Sequence, residues 1–203
     1  EVNCLRGQGL QQIKPALLDL LKEKHERAKA KGLVKFMMRV MVVGIPNCGK
    51  STFINKMARN NIAKTGDRAG VTKSKQWIKT SLDMEMLDTP GVLWPKFEDE
   101  RTALNLAFTR AIKDEILDID TLGLKFIEKM SEIEPEKLKA RYKLDSLGEE
   151  PLETMEMIGR KRGFILGRNE LDYTRIAKTL LNEFREGKLG QITLEVPEDI
   201  EEA

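Results

Sequence analysis

The 203-residue sequence predicts an α/β domain followed by a mostly α-helical one, and two patterns carry that prediction. In the first half, an apolar run rich in valine passes directly into a glycine-bearing loop and then into a helical pattern; in the second half, three apolar stripes recur at helical spacing. A soft boundary near residue 110 divides the chain into 1–110 and 111–203. With 40% hydrophobic and 33% charged residues and a formal net charge of +2, the composition excludes a disordered or fibrous chain.

Leu10, Ile13, Leu17 and Leu21 predict one amphipathic helix of about 20 residues, closed by cations and the glycine of Lys29-Ala30-Lys31-Gly32. Phe36 to Val43 reads as a parallel strand covered on both faces, because it is mostly apolar and has no acidic residue. Phe53, Ile54, Met57 and Ala58 give one face of a helix starting near Lys50. The stretch from Asn60 to Lys75 lacks an apolar period and reads as a loop. Gln76 to Ser81 and Met84 to Asp88 read as two strands joined by a tight connection. Beyond Gly91 the stripes are helical: Leu104, Phe108, Ala111 and Ile112; then Ile116, Ile119, Phe126, Ile127 and Met130; then Tyr173, Ile176, Leu180, Leu181 and Phe184.

Charge is uneven along the chain: residues 1–131 carry 23 Lys/Arg against 16 Asp/Glu, and residues 132–203 carry 12 against 17. Cys4 and Cys48, the only cysteines, fall in no metal-ligand spacing, which fits a reducing cytoplasm. The longest apolar run is far shorter than the roughly 20 residues of a membrane helix. The chain opens at Glu1-Val2-Asn3 without an initiating Met, which leads to the expectation of an upstream segment.

Gly44-Ile45-Pro46-Asn47-Cys48-Gly49-Lys50-Ser51 fits the phosphate-binding pattern G-x-x-x-x-G-K-[ST] in the strand–loop–helix context that the pattern requires. The glycines let successive N–H groups turn toward a phosphate, Lys50 supplies a point charge, Ser51 offers a hydroxyl to Mg²⁺, and the helix N-terminus adds partial positive charge. Asp88-Thr89-Pro90-Gly91 follows 38 residues after Lys50, where an aspartate can reach Mg²⁺ and a glycine N–H a γ-phosphate. Between them, Thr72 is the candidate to complete the Mg²⁺ shell, with Thr65 as the alternative. Asn169-Glu170-Leu171-Asp172 imitates a base-recognition motif but has Glu170 in the lysine position, and reads instead as a cap opening the next helix. His25 lies among charges and reads as a solvated surface residue.

Gly44 to Thr52, Asn61-Ile62-Ala63-Lys64-Thr65-Gly66-Asp67-Arg68, Asp88 to Phe97 and Lys161-Arg162-Gly163 together resemble the ribosome biogenesis GTPase A family, circularly permuted GTPases of the TRAFAC type. The resemblance implies a P-loop GTPase core with permuted motif order over 1–110 and a helical, RNA- or ribosome-binding domain over 111–203. It implies GTP and GDP as ligands, Mg²⁺ as cofactor, a cytoplasmic location, and the large ribosomal subunit precursor with its ribosomal RNA as partner; neither membrane nor DNA is expected. Nucleotide contacts fall on Asn47, Cys48, Gly49, Lys50, Ser51, Thr52 and Gly91; Lys50 and Thr72 carry catalysis, and Ser51, Thr72 and Asp88 hold Mg²⁺. Asn3-Cys4 resembles the family's Asn-Ser that approaches the base, with Cys in place of Ser. The Asn-Lys-x-Asp motif that precedes the P-loop in this family is not in the sequence, so these residues by themselves are expected to select the base poorly.

Asn47 has two readings, a ligand to K⁺ or a loop residue tolerating an unusual backbone angle. Val92 stands where many GTPases place a water-orienting glutamine, so hydrolysis is expected to be slow unless ribosomal particles activate it. The alternative is a nucleotide-gated RNA-binding module with negligible hydrolysis. RNA contacts are expected from Lys161, Arg162, Arg175 and Lys178, because Ile158 to Gly190 carries eight Lys/Arg against four acids.

Overall fold

The computed structural model describes residues 1–4, 6–32, 36–59, 75–80, 83–93 and 99–196. The chain divides into two compact units, Glu1–Leu93 and Trp94–Ala203. The boundary expected near residue 110 thus falls earlier, because Ala107 and Phe108 pack into the core of the second unit.

In the first unit the amphipathic run forms helix α1 (Leu10–Leu20), and a separate helix α2 (Lys22–Ala30) follows. The single long helix expected here is broken at Leu21, where the apolar period stops; α2 buries none of its residues. Strand β1 (Met38–Val42), helix α3 (Lys50–Ala58), and strands β2 (Gln76–Lys79) and β3 (Met84–Asp88) complete the unit. The sheet order is β1-β3-β2, with β1 parallel and β2 antiparallel to β3. Parallel pairing of β1 with β3 is possible because α3 lies in the crossover between them.

One sheet face presents Met38, Ile78, Met84 and Met86 to Ile54, Met57 and Ala58, with Leu10, Ile13 and Leu17 packed against the same core. On the other face Met41 is 60% and Trp77 50% exposed, so among the described residues β1 is covered on one face and not on both as its composition suggested. Its burial alternates residue by residue, the signature of a half-buried strand.

The second unit is a helical bundle: α4 (Glu100–Phe108), α5 (Ile119–Ile133), α6 (Pro135–Tyr142), α7 (Pro151–Arg162) and α8 (Tyr173–Arg185). Asp99, Asp118 and Asp172 cap α4, α5 and α8 by accepting backbone N–H bonds, whereas α6 and α7 begin with proline. Phe126 lies at the centre, with ring centroids 5.1 Å from Phe108 and 4.8 Å from Phe184. Gly123 lets α5 approach α8, since a Cβ there would stand 2.6 Å from that of Ala177.

Polar groups tie the bundle together. Arg185, 7% exposed, donates to the carbonyls of Ala107 and Phe108 at the end of α4 and pairs with Asp114. Glu183 of α8 accepts from Arg141 Nη2 at 2.7 Å, from the Tyr142 hydroxyl at 2.8 Å and from Arg162 Nη2 at 3.2 Å, joining α6, α7 and α8. Burial pushes both carboxyls up, but hydrogen bonds and charges outweigh it: Arg141, Tyr142 and Arg162 for Glu183, and Arg185 and Arg110 for Asp114. Both therefore titrate below their ordinary values. The same burial and the bond to Glu183 hold the Tyr142 hydroxyl far above its ordinary range.

Because these folded carboxyls are depressed, the stability they add is complete above the ordinary carboxylate values of about 4 and is lost as pH falls through the folded values. Glu183→Ala, which leaves Arg141 and Arg162 facing each other, should destabilise the chain by about 3 kcal/mol at pH 7. Chemical denaturation at pH 7 and again at low pH checks both points: the gap between parent and variant should shrink on acidification.

Candidate functional site

The parallel register pairs Val42 with Asp88, so the loops after β1 and β3 leave the sheet side by side at the carboxyl ends of two neighbouring strands. That edge is where open α/β sheets bind ligands. Residues 43–49 turn from β1 into α3, with Asn47 and Gly49 in the left-handed region at φ 58° and 91°. The helix N-terminus that follows begins at Lys50.

Lys50 is 9% exposed and its Nζ donates to the Ile45 carbonyl at 2.8 Å, with Cys48 Sγ at 3.9 Å; the ammonium therefore lies folded back over its own loop. The Ser51 hydroxyl donates to Asp88 Oδ2 at 3.2 Å. Asp88 is 2% exposed, and its Oδ1 is buried without a hydrogen-bond partner among the described residues. A buried carboxylate oxygen beside a serine hydroxyl is a pair of hard oxygen donors, which suits Mg²⁺. Among the described residues no group of three His, Cys, Asp or Glu could hold a metal by itself.

Gly91 packs on the P-loop so closely that a Cβ at this position would run into the backbone N and Cα of Pro46. The Thr89 hydroxyl donates to the Val42 carbonyl at 2.7 Å. The structure thus brings together Asn47, Cys48, Gly49, Lys50, Ser51, Asp88 and Gly91 in one unit, with Thr52 in the first turn of α3. Thr72, with its alternative Thr65, lies outside the described residues. Asn3 and Cys4 make no hydrogen bond to the P-loop; Asn3 Oδ1 instead accepts from the Arg6 backbone N–H at 3.0 Å. His25 is exposed on α2, its ring 5.2 Å from that of Phe36, and Val92 is 75% exposed.

Sequence reading passed over Thr89 and the contact partner of Gly91. A hydroxyl one residue beyond a strand, beside a parallel neighbour that ends at the same level, was the available signal for Thr89. In the second unit the four cations expected to meet RNA prove unequal. Lys161 and Lys178 are exposed and make no ion pair among the described residues. Arg175 is exposed with its guanidinium 4.7 Å from the Phe164 ring centroid. Arg162 bonds to Glu183 and stacks 5.2 Å from the Tyr142 ring centroid.

A P-loop, an adjoining Asp-Thr-Pro-Gly segment and a hard oxygen pair between them define the class as a P-loop GTPase. A family model described as 50S ribosome-binding GTPase matches residues 39–152. Ribosome biogenesis GTPase A of Bacillus licheniformis is 48% identical over 202 residues, covering 98% of this chain and 70% of that protein. The protein of the same name from Bacillus cereus is 47% identical, covering 99% and 68%. Among solved structures, GDP-bound TM YlqF matches with TM-score 0.56 and 27% identity, over 92% of this chain and 67% of that one. The GNP-bound YlqF from T. maritima matches with TM-score 0.53 and 30% identity, over 79% and 60%. The chain belongs to the ribosome biogenesis GTPase A family.

Gly91→Ala should push the P-loop backbone at Ile45 and Pro46 out of place and weaken GDP binding about tenfold, in line with the usual cost of overpacking. Calorimetric titration with GDP checks it; parent-like affinity would mean that the loop yields without consequence.

Proposed function

We propose that this chain hydrolyses GTP to GDP and phosphate in the assembly of the large ribosomal subunit, in the cytoplasm, with its helical unit docking on ribosomal RNA. GTP binding in ribosome biogenesis follows from family membership. The observation that supports hydrolysis best is the buried Asp88 with its unpartnered Oδ1, 3.2 Å from the Ser51 hydroxyl at the mouth of the P-loop.

Phosphoryl transfer needs positioning and charge neutralisation more than covalent help. Ser51 and Asp88, with Thr72, would hold Mg²⁺, which when bound draws charge from the phosphate oxygens. Lys50 leaves the Ile45 carbonyl to meet β- and γ-phosphate oxygens, and N–H groups of Cys48, Gly49, Lys50, Ser51 and Thr52 face the phosphates at the helix N-terminus. Gly91 offers its N–H to the γ-phosphate. Asn47 is the proposed K⁺ ligand; its left-handed backbone also satisfies the plainer reading. Asn3 and Cys4 keep a proposed place beside the base.

The exposed Val92 favours a second reading, a nucleotide-gated RNA-binding module, because no side chain there can orient water. Single-turnover hydrolysis with and without large-subunit precursors separates the two. The hydrolysing parent should accelerate on adding particles, and Lys50→Ala should lose about 3 kcal/mol of transition-state stabilisation, the scale of one preorganised electrostatic group. Hydrolysis indistinguishable from the uncatalysed rate in every condition would favour the module.

For RNA docking the structure changes which cations can be tested. Arg162 and Arg185 are committed to Glu183 and Asp114, so reversing either would disturb the bundle. Lys161→Glu/Lys178→Glu should weaken binding to large-subunit precursors and reduce the salt slope by about 2, one for each lost phosphate contact. A titration across a salt series reads this, and an unchanged slope would place the docking surface elsewhere.

A further inference from the structure

We propose that Thr89 is a positioning residue that couples the γ-phosphate-sensing segment to the P-loop strand, a role that rests on the GTPase reading. Its hydroxyl donates to the carbonyl of Val42, the last residue of β1, at 2.7 Å. With 8% exposure and its proton given to that carbonyl, Thr89 is committed to the protein and not to a ligand.

The bond acts where the sheet stops. The ladder between β1 and β3 ends at the pair Val42 and Asp88, and the hydroxyl of the next residue adds one side-chain rung across the same two strands. Pro90 then fixes its own φ and holds Thr89 in the extended region, so little torsional freedom remains between the rung and Gly91. Gly91 meets the backbone of Ile45 and Pro46 at the far end of this short span. The segment Asp88–Gly91 is therefore pinned to the P-loop and its strand at three points: Asp88 on Ser51, Thr89 on Val42 and Gly91 on Pro46. Of the two hydrogen bonds among these contacts, that of Thr89 uses no group assigned to the nucleotide or its cation, whereas that of Asp88 occupies the Ser51 hydroxyl.

Removing this hydroxyl loosens Gly91 relative to the P-loop without touching the P-loop itself. GDP, held by the P-loop, should be nearly indifferent to it, whereas a ligand with a γ-phosphate should not. A merely structural hydrogen bond would weaken both ligands alike.

The test uses the full chain with Mg²⁺ and compares Thr89→Val, which keeps the shape and loses the hydroxyl, with Thr89→Ser, which keeps the hydroxyl. GDP affinity of Thr89→Val should stay within about twofold of the parent, while affinity for a non-hydrolysable GTP analogue and kcat each fall about tenfold, the scale of one buried hydrogen bond. Thr89→Ser should restore both. Should Thr89→Val fail to fold, Thr89→Ala is read by the same comparison. Equal effects on GDP and the GTP analogue, whether none or large, would overturn the proposal. A parent chain that binds neither nucleotide would overturn the GTPase reading itself, and this role with it.

Discussion

Everything at the candidate phosphate site depends on the parallel pairing of β1 with β3 in the register that sets Val42 opposite Asp88. A shift of one residue would turn Met84, Met86 and Asp88 to the other face of the sheet, since side chains alternate along a strand. The hydrophobic requirement that buries Met84 and Met86 is thus the same one that buries the Asp88 carboxylate beside Ser51. Core packing and the placement of the Asp88–Ser51 pair are set by one register, and α3 serves both by covering the core with Ile54 and Met57 and by presenting its N-terminus at the loop.

The helical unit solves a different problem, that of closing short helices on one another. Two of its arginines fasten the fold: Arg185, its side chain buried, satisfies carbonyls at the end of α4, where a cation also complements the helix dipole, and Arg162, itself exposed, completes the shell of Glu183. Positive charge in this part of the chain therefore has two uses, one holding the fold and one facing solvent. Coordinates are needed to separate them, because Lys161 and Arg162 are neighbours in sequence and both exposed, yet Arg162 is bonded to Glu183 while Lys161 makes no ion pair among the described residues.

The clustering of the candidate phosphate-site residues was legible in the sequence because the proposed chemistry depends on residues with few substitutes: glycines at left-handed or crowded positions, a lysine, a serine and an aspartate at fixed separations. The stripes of α5 and α8 were legible from Ile119 onward because these helices are long and strongly periodic, but Ile116, expected in the same stripe as Ile119, lies in a separate 3-10 turn and is exposed. Helices α6 and α7 escaped, being short and weakly amphipathic, although Pro135 and Pro151 at their first positions were available signals. The break at Leu21 escaped because the charged run beyond it, Lys22 to Ala30, holds no glycine or proline to mark a stop, and the fates of Arg162 and Arg185 escaped because their partners are distant in sequence. The contact of Gly91 with Pro46 is long-range backbone packing that no local pattern encodes.

The uncovered sheet face has a bearing on solution behaviour. Met41 and Trp77 stand exposed on it, Val43 is exposed just beyond β1, and the outer edge of β1 has no strand beside it among the described residues. An apolar face next to an open edge is a template for lateral pairing between molecules. Arg39, stacked 5.5 Å from the Trp77 ring centroid and paired with Glu85, places charge on that face and acts as a gatekeeper against such pairing. The sheet edge open to such pairing belongs to the nucleotide-binding unit; the helical unit also exposes apolar side chains, Ile116, Leu152, Ile165 and Leu166, but among the described residues it offers no sheet edge beside them.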